Sequence, residues 1–116
     1  MDEMRAVVIT EPGGPEVLAI KQVTIREPSR GEVRVRVRAA GINRADLLQR
    51  RGLYPPPPGW PTDIPGLEYA GAVEAVGEGA DLWMVGDRVM GLVGGGGCAE
   101  YVVVPEREVI AIPLED

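Results

Sequence analysis

The sequence predicts a mainly β fold, a small, partly open β-barrel or sandwich with one or two short helices. Apolar runs of strand length recur along the chain, beginning at residues 5–10. The 16 glycines and 11 prolines stand between these runs, where they act as turn residues. Only one segment has helical character, and neither a repeat nor a linker interrupts the 116 residues. We therefore expect about seven short strands in a single domain.

The second apolar run, VLAIKQVTI, alternates in two phases. Leu18 and Ile20 belong to one face of a strand, whereas Val23 and Ile25 belong to the other. A bulge or bend near Gln22 would reconcile the two phases.

The third run, EVRVRVRAAG, alternates three valines with Arg34, Arg36 and Arg38. This period predicts a strand with its valines in the core and its arginines in water, and a functional basic patch is the less favoured alternative. The net charge of -6 argues against nucleic acid or an anionic membrane as a partner. No apolar run is long enough to span a bilayer, and the N-terminus does not resemble a signal peptide.

The helical segment is INRADLLQRRG. Asn43 is a good N-cap, Asp46 supplies negative charge in the first turn, and Gly52 ends the helix after about two turns. The proline-rich segment LYPPPPGWPTDIPG that follows is expected to be a stiff, extended loop. Strands resume from Tyr69 in the four runs EYAGAVEAVG, RVMGLV, AEYVVVP and VIAIP.

Several kinds of chemistry are excluded by residue counts. The chain has no histidine and one cysteine, so it cannot build a zinc site in the usual way. Ser29 and Cys98 lack a histidine base, and Cys98 is expected to be a small, buried or half-buried filler. The glycine run GLVGGGGCAEY leads into a strand without GK[ST], so it predicts a tight connection, and a loop that approaches a ligand is the less favoured alternative. A lone cysteine also makes a reducing cytoplasm the expected compartment.

Three ordered motifs resemble the N-terminal catalytic domain of the medium-chain dehydrogenase/reductase superfamily. They are AAGINRAD (39–46), PGLEYAGAVEAVGEG…VGDRV (65–89) and GGCAEYVVVP (96–105). Leu67 stands where zinc-dependent members have a zinc-binding histidine, and Asn43 stands where they have a zinc-binding cysteine. The lobe with four structural cysteines is also missing. This pattern is similar to the zinc-free quinone oxidoreductase branch, which includes zeta-crystallin and the p53-inducible quinone oxidoreductase-like proteins.

The resemblance implies a GroES-like barrel over residues 1–116, followed in relatives by a Rossmann domain that binds NADPH. The chain ends at PLED, where that nucleotide domain would start, so it is expected to be truncated and to bind little NADPH alone. The implied reaction is hydride transfer from NADPH to a quinone in the cleft between the two domains, without zinc. A homodimer or homotetramer is implied for the full-length form.

The resemblance also implies roles for five residues, and most of them have a simpler alternative. Asn43 would donate an amide hydrogen bond to the nicotinamide or the substrate, and Asp46 would belong to the catalytic group, unless both only cap the helix. Tyr54 would line the quinone pocket and could protonate the product, unless it only packs on prolines. Leu67 would line the vacated metal position. Glu68 would set the polarity of the substrate pocket, unless backbone amides or an arginine simply hold it.

Two other functions stay open at this point. A GroES-like barrel could be a structural or assembly module without chemistry, because a fold does not determine a function. A relative that reduces enones or alcohols would carry the same motifs.

Overall fold

The order of secondary structure follows the predicted pattern of short strands around one helix. The computed structural model describes residues 3–53 and 55–113, and within these ranges it contains seven strands, one α-helix and two single-turn 3₁₀ helices. The strands and the helix are β1 (Glu3–Ile9), β2 (Leu18–Thr24), β3 (Glu32–Ala40), α1 (Arg44–Arg50), β4 (Glu68–Val76), β5 (Arg88–Leu92), β6 (Tyr101–Pro105) and β7 (Val109–Ala111). The 3₁₀ turns span Pro15–Val17 and Glu106–Glu108. The mainly β class is confirmed.

The strands form two antiparallel sheets. Strands β1 and β2 make a hairpin, and the other five form a curled half-barrel in the order β6-β3-β4-β5-β7. The hairpin joins the half-barrel through a bridge between Ala6 and Ala99, and the Val7 N–H donates to the Cys98 carbonyl at 2.9 Å. The partly open barrel predicted from the sequence is therefore present.

The bulge predicted near Gln22 is wrong. Strand β2 pairs with β1 in one unbroken register from Leu18 to Thr24. No bulge is needed, because the apolar side chains of the first phase remain exposed to water. Ile20, for example, is 74% exposed. The breaks in register lie instead between β3 and β4, where Arg38 and Glu74 have no opposite residue. These irregularities bend the central strands, which helps the sheet to curl.

Valines fill the inside of the half-barrel. The buried cluster contains one tyrosine and eight valines, contributed mainly by β3, β4, β5 and β6. Branched side chains suit a pleated, half-buried surface, which explains why valine dominates here. A smaller cluster of Ala6, Val8 and Ile64 fills the space under the β1–β2 hairpin.

The predicted solvated arginine face is wrong at Arg34. Arg36 and Arg38 are exposed as expected, but Arg34 is only 5% exposed. Its Nε donates to Glu74 Oε1 at 2.6 Å and its Nη2 donates to Glu74 Oε2 at 3.2 Å. The register break places Glu74 beside Arg34, and the paired carboxylate makes burial of the guanidinium tolerable.

Candidate functional site

Helix α1 begins at the candidate site. Asn43 takes the N-cap position with an extended backbone (φ -126°, ψ 163°). Its backbone N–H donates to Asp46 Oδ2 at 2.8 Å, and Asp46 is only 8% exposed. A side chain at the third helical position thus reaches back to the residue that caps the helix. The predicted N-cap and two-turn helix are confirmed, and Asp46 holds the main chain of Asn43 in place.

The side chain of Asn43 points to the start of strand β4. Its Nδ2 donates to Glu68 Oε1 at 2.9 Å, across 25 positions of sequence. Glu68 is half-buried. Its side-chain partner is the Asn43 amide, and not the arginine or the backbone amides considered from the sequence. This hydrogen bond from Asn43 offsets part of the cost of placing an acid in this apolar stretch.

Gly41 leaves the space that Glu68 occupies. A Cβ placed at Gly41 would lie 2.5 Å from Glu68 Oε2 and 2.6 Å from its carboxyl carbon. Any larger residue would push the carboxylate away from Asn43. Gly41, the glycine of the motif AAGINRAD, therefore leaves space for the Glu68 side chain from strand β4.

Glu68 lies at the wall of a mostly apolar cavity of about 410 Å³. Its lining comes from the end of β3, the start of β4, and strands β5 and β7. Three apolar side chains at this cavity are open to water, with Leu92 at 72%, Ile110 at 55% and Met90 at 38% exposure. A cavity of this size suits a small ring compound. Leu67 precedes Glu68 in the chain but does not line this cavity.

The glycine run is held against the segment that leads into strand β4. Gly96 N–H donates to the Ile64 carbonyl at 2.7 Å, and Cys98 N–H donates to the Pro65 carbonyl at 2.8 Å. Burial raises the pKa of the Cys98 thiol, and the nearby Asp46 carboxylate raises it further. Cys98 is thus held as a thiol, which agrees with its prediction as a half-buried filler.

Gln49 is a polar residue that the sequence analysis missed. It is 6% exposed, and neither its Nε2 nor its Oε1 has a hydrogen-bond partner among the residues that the structure describes. Asp46 Oδ1 lacks a partner in the same way. The spacing of three residues from Asp46 places both side chains on one helix face, and this spacing is the signal that could have found Gln49.

The structure brings together three of the five predicted site residues. Asn43, Asp46 and Glu68 form one connected group, whereas Leu67 lies beside it and away from the cavity. Tyr54 lies outside the described residues. Within residues 3–53 and 55–113, no group of three His, Cys, Asp or Glu side chains could hold a metal ion. Asn43, Asp46 and Glu68 offer hydrogen-bonding groups, and the cavity beside Glu68 offers an apolar wall.

In the part of the chain that the structure describes, none of the helices has the length and apolar character needed to cross a bilayer.

The fold and the ordered motifs match a known family model. Residues 29–114 match the alcohol dehydrogenase GroES-like domain. The chain belongs to this family. The match covers strands β3 to β7 and helix α1, which contain the whole candidate site.

Curated relatives extend the match to almost the whole chain. The synaptic vesicle membrane protein VAT-1 homolog-like of Mus musculus is 41% identical over 111 residues, which cover 96% of this chain and 26% of the relative. The quinone oxidoreductase of Lama guanicoe is 40% identical over 114 residues, which cover 97% of this chain and 34% of the relative. The chain thus spans about a third or less of the length of these relatives. The quinone oxidoreductase among them agrees with the superfamily that the three motifs resemble.

Solved structures agree with this assignment. The human synaptic vesicle membrane protein VAT-1 homolog-like protein has a TM-score of 0.90 at 40% identity, covering 98% of this chain and 37% of that one. A cobalt- and zinc-bound thermostable alcohol dehydrogenase from Pyrobaculum aerophilum has a TM-score of 0.86 at 30% identity, covering 97% of this chain and 42% of that one. The same domain fold therefore occurs in a metal-bound alcohol dehydrogenase.

Proposed function

We propose that this chain is the substrate domain of a zinc-independent, NADPH-dependent quinone oxidoreductase. The observation that carries the proposal is the hydrogen bond from Asn43 Nδ2 to Glu68 Oε1 at the edge of an apolar cavity. The likeness to quinone oxidoreductases supports the reaction class. In the full-length protein, we expect the cavity to open into a cleft shared with a nucleotide-binding domain.

The residues at the cavity suit a flat ring that carries a carbonyl group. Ala39, Ala40 and Leu92 give apolar surface for a ring. The Asn43 amide is connected to the cavity through its hydrogen bond to Glu68, which forms part of the wall. When bound, NADPH supplies the hydride. The chain's own part is to hold the ring in place and to donate a hydrogen bond to its carbonyl oxygen.

The roles proposed for the remaining residues differ in their support. The burial of Asp46 and its bond to the Asn43 main chain favour a positioning role over direct catalysis. Tyr54 stays a candidate for protonating the product, because of its place in the motif GLYPPP. Leu67 stays a candidate for the wall at the vacated metal position.

Zinc independence rests on the donor set of this chain. Zinc sites need three or four ligands, mostly His or Cys, and the sequence holds no His and one Cys. Asn43 and Leu67 stand at the two ligand positions, and neither side chain is a usual zinc ligand. We therefore propose that hydrogen bonding by Asn43 replaces the polarisation that a metal provides in zinc-dependent relatives.

The remaining features of the proposal concern the whole protein. We propose a single domain over residues 1–116, a second domain for NADPH, a homodimer or homotetramer, and a cytoplasmic location. A quinone is the proposed partner, and the charge of -6 supports the exclusion of nucleic acid and anionic membranes. The lone cysteine supports the reducing compartment.

The test is turnover by the full-length protein, purified with and without added zinc. We expect oxidation of NADPH with quinones as acceptors, slower reaction with enones and alcohols, and the same rate after treatment with a chelator. No quinone-dependent oxidation would overturn the reaction class. One bound zinc per chain, with activity lost on chelation, would overturn the zinc-free mechanism alone.

A further inference from the structure

The hydrogen bond between Asn43 and Glu68 has a defined direction. The donor is Asn43 Nδ2 and the acceptor is Glu68 Oε1, at 2.9 Å. An ionised carboxylate can only accept hydrogen bonds, so a flipped amide would place its oxygen against another oxygen. Glu68 thus orients the Asn43 amide so that its nitrogen, and not its oxygen, faces strand β4.

We propose that Glu68 is a positioning residue for Asn43 and sets its amide to donate to a carbonyl oxygen of the ligand. An amide nitrogen carries two hydrogens, and Glu68 takes one of them. Among the residues that the structure describes, Glu68 is the acceptor found for this nitrogen, so its second hydrogen is left for a ligand. The inference rests on the proposed function for the identity of that ligand, a quinone or a nicotinamide carboxamide.

Asn43 is held at its backbone and at its side chain, by acidic residues from two different elements. Asp46 binds its backbone N–H from within helix α1, and Glu68 binds its side-chain nitrogen from strand β4. A side chain fixed at two points loses little further freedom when a ligand binds. These two hydrogen bonds are the physical reason to propose that Glu68 orients the Asn43 side chain.

Among the described residues, no basic side chain competes with Asn43 for Glu68. The cavity at its side is lined by small and apolar residues, and no Lys or Arg of the described chain lines it. The described ion pairs also leave Glu68 out. The Asn43 amide is therefore the only side-chain hydrogen bond found for this carboxylate in residues 3–53 and 55–113.

A double-mutant cycle in the full-length protein tests whether Glu68 acts through Asn43. Glu68→Leu removes the acceptor, Glu68→Gln keeps an acceptor oxygen, and Asn43→Ser keeps a capping residue without the amide. We expect Glu68→Leu to lower kcat/KM for quinone reduction about tenfold, and Glu68→Gln to restore most of it. In the Asn43→Ser background, Glu68→Leu should change kcat/KM by less than about twofold.

The control is Glu78→Leu, the same change at an exposed position. The Glu78 side chain is 83% exposed and makes one long ion pair of 3.8 Å, so kcat/KM should stay within about twofold of the parent. An equal loss from Glu68→Leu in both backgrounds would show that Glu68 does not act through Asn43. Thermal unfolding of each variant separates a loss of folding from a loss of orientation.

A second measurement does not depend on turnover. In the parent, the Asn43 side-chain proton that faces Glu68 should exchange slowly with water and resonate downfield of a free amide proton. Glu68→Leu should return its exchange rate and chemical shift to those of a solvent-exposed Asn, and Glu78→Leu should not. Unchanged Asn43 signals in Glu68→Leu would overturn the inference. Absence of quinone turnover alone would overturn only the proposed function.

The ligand that receives the second hydrogen is identified by titration. Adding a quinone alone, or reduced nicotinamide mononucleotide alone, to the full-length protein should shift one Asn43 proton signal. The compound that shifts it contributes the carbonyl oxygen. A shift with neither compound at saturation would contradict donation to a ligand carbonyl.

Discussion

Tyr69 buries a phenol hydroxyl in the core of the half-barrel. The residue is 3% exposed, and its hydroxyl oxygen has no hydrogen-bond partner in the described part of the chain. Gly91 on the neighbouring strand makes the room, since a Cβ there would lie 2.7 Å from that oxygen. Burial, with a smaller contribution from Glu108, raises the pKa of Tyr69 to about 12. The folded state therefore disfavours the phenolate.

This shift predicts a loss of stability at alkaline pH. Below pH 10 the phenol is protonated in both states, so the shift costs nothing. Between pH 10 and about 12 the unfolded chain loses its proton first, and the free energy of unfolding should fall by roughly 2 to 3 kcal/mol. Tyr69→Phe should remove this loss and keep or slightly raise stability near pH 7. Denaturant unfolding at several pH values measures it.

Tyr101→Phe is the matched control for this prediction. Tyr101 is half-buried on strand β6, and its replacement should leave the alkaline loss in place. If Tyr69→Phe kept the same loss as the parent, another group would be responsible.

At the scale of elements, strands β3 and β4 touch at Gly71. A Cβ at this position would lie 2.0 Å from the Arg36 carbonyl oxygen and 3.1 Å from the Val37 Cα. These are backbone atoms of the paired strand, so a side-chain rotation cannot relieve the clash. The close approach lies next to the register break between Val37 and Ala39, where β3 bends.

Gly71→Ala should therefore separate the two central strands. We expect the free energy of unfolding to fall by about 2 to 4 kcal/mol. Gly31→Ala is the control, because Gly31 has φ 76° and open space around it. Its cost should be about 1 to 2 kcal/mol from backbone strain alone. A smaller cost at Gly71 than at Gly31 would contradict the close packing of β3 on β4.

At the scale of the whole molecule, Arg34 joins four parts of the chain. It extends from β3 to Glu74 on β4, to Glu27 and the Arg26 carbonyl after β2, and over the Tyr101 ring on β6 at 5.7 Å. Hydrogen bonding to Glu74 is the main cause that raises the pKa of Arg34 above its usual value. The guanidinium is thus a permanent charge that holds the half-barrel to the segment leaving the hairpin.

A lysine has one point charge and cannot make the two parallel bonds to Glu74. Arg34→Lys should therefore lower the free energy of unfolding by about 1 to 3 kcal/mol, less than for a fully buried pair, because Glu74 is partly exposed. Arg36→Lys, two residues along the same strand and exposed, should change it by less than about 0.5 kcal/mol. Equal effects of the two substitutions would show that the Arg34 network does not hold these parts together.

Much of the fold could be predicted because its signals are local. Alternation of apolar residues indicated the strands, and Asn43 with Asp46 indicated the start of α1. The prediction failed where two segments had to be aligned. The register break beside Glu74 buries Arg34, and the uncovered face of the hairpin leaves Ile20 in water, so the predicted bulge was unnecessary.

For the candidate site, too, some features could be predicted from the sequence and others required the tertiary structure. The sequence by itself determined that an acid, Glu68, lies in an apolar stretch and that usual zinc donors are missing. Its resemblance to zinc-dependent relatives implied that Asn43 and Leu67 stand at metal-ligand positions. Only the tertiary structure decided that Asn43 binds Glu68 across 25 residues, that Gly41 makes room for the acid, and that the Gln49 side chain on helix α1 is buried. The physical reason is range: periodicity and capping act within a few residues, whereas a hydrogen bond between a helix start and a strand depends on how the sheet curls.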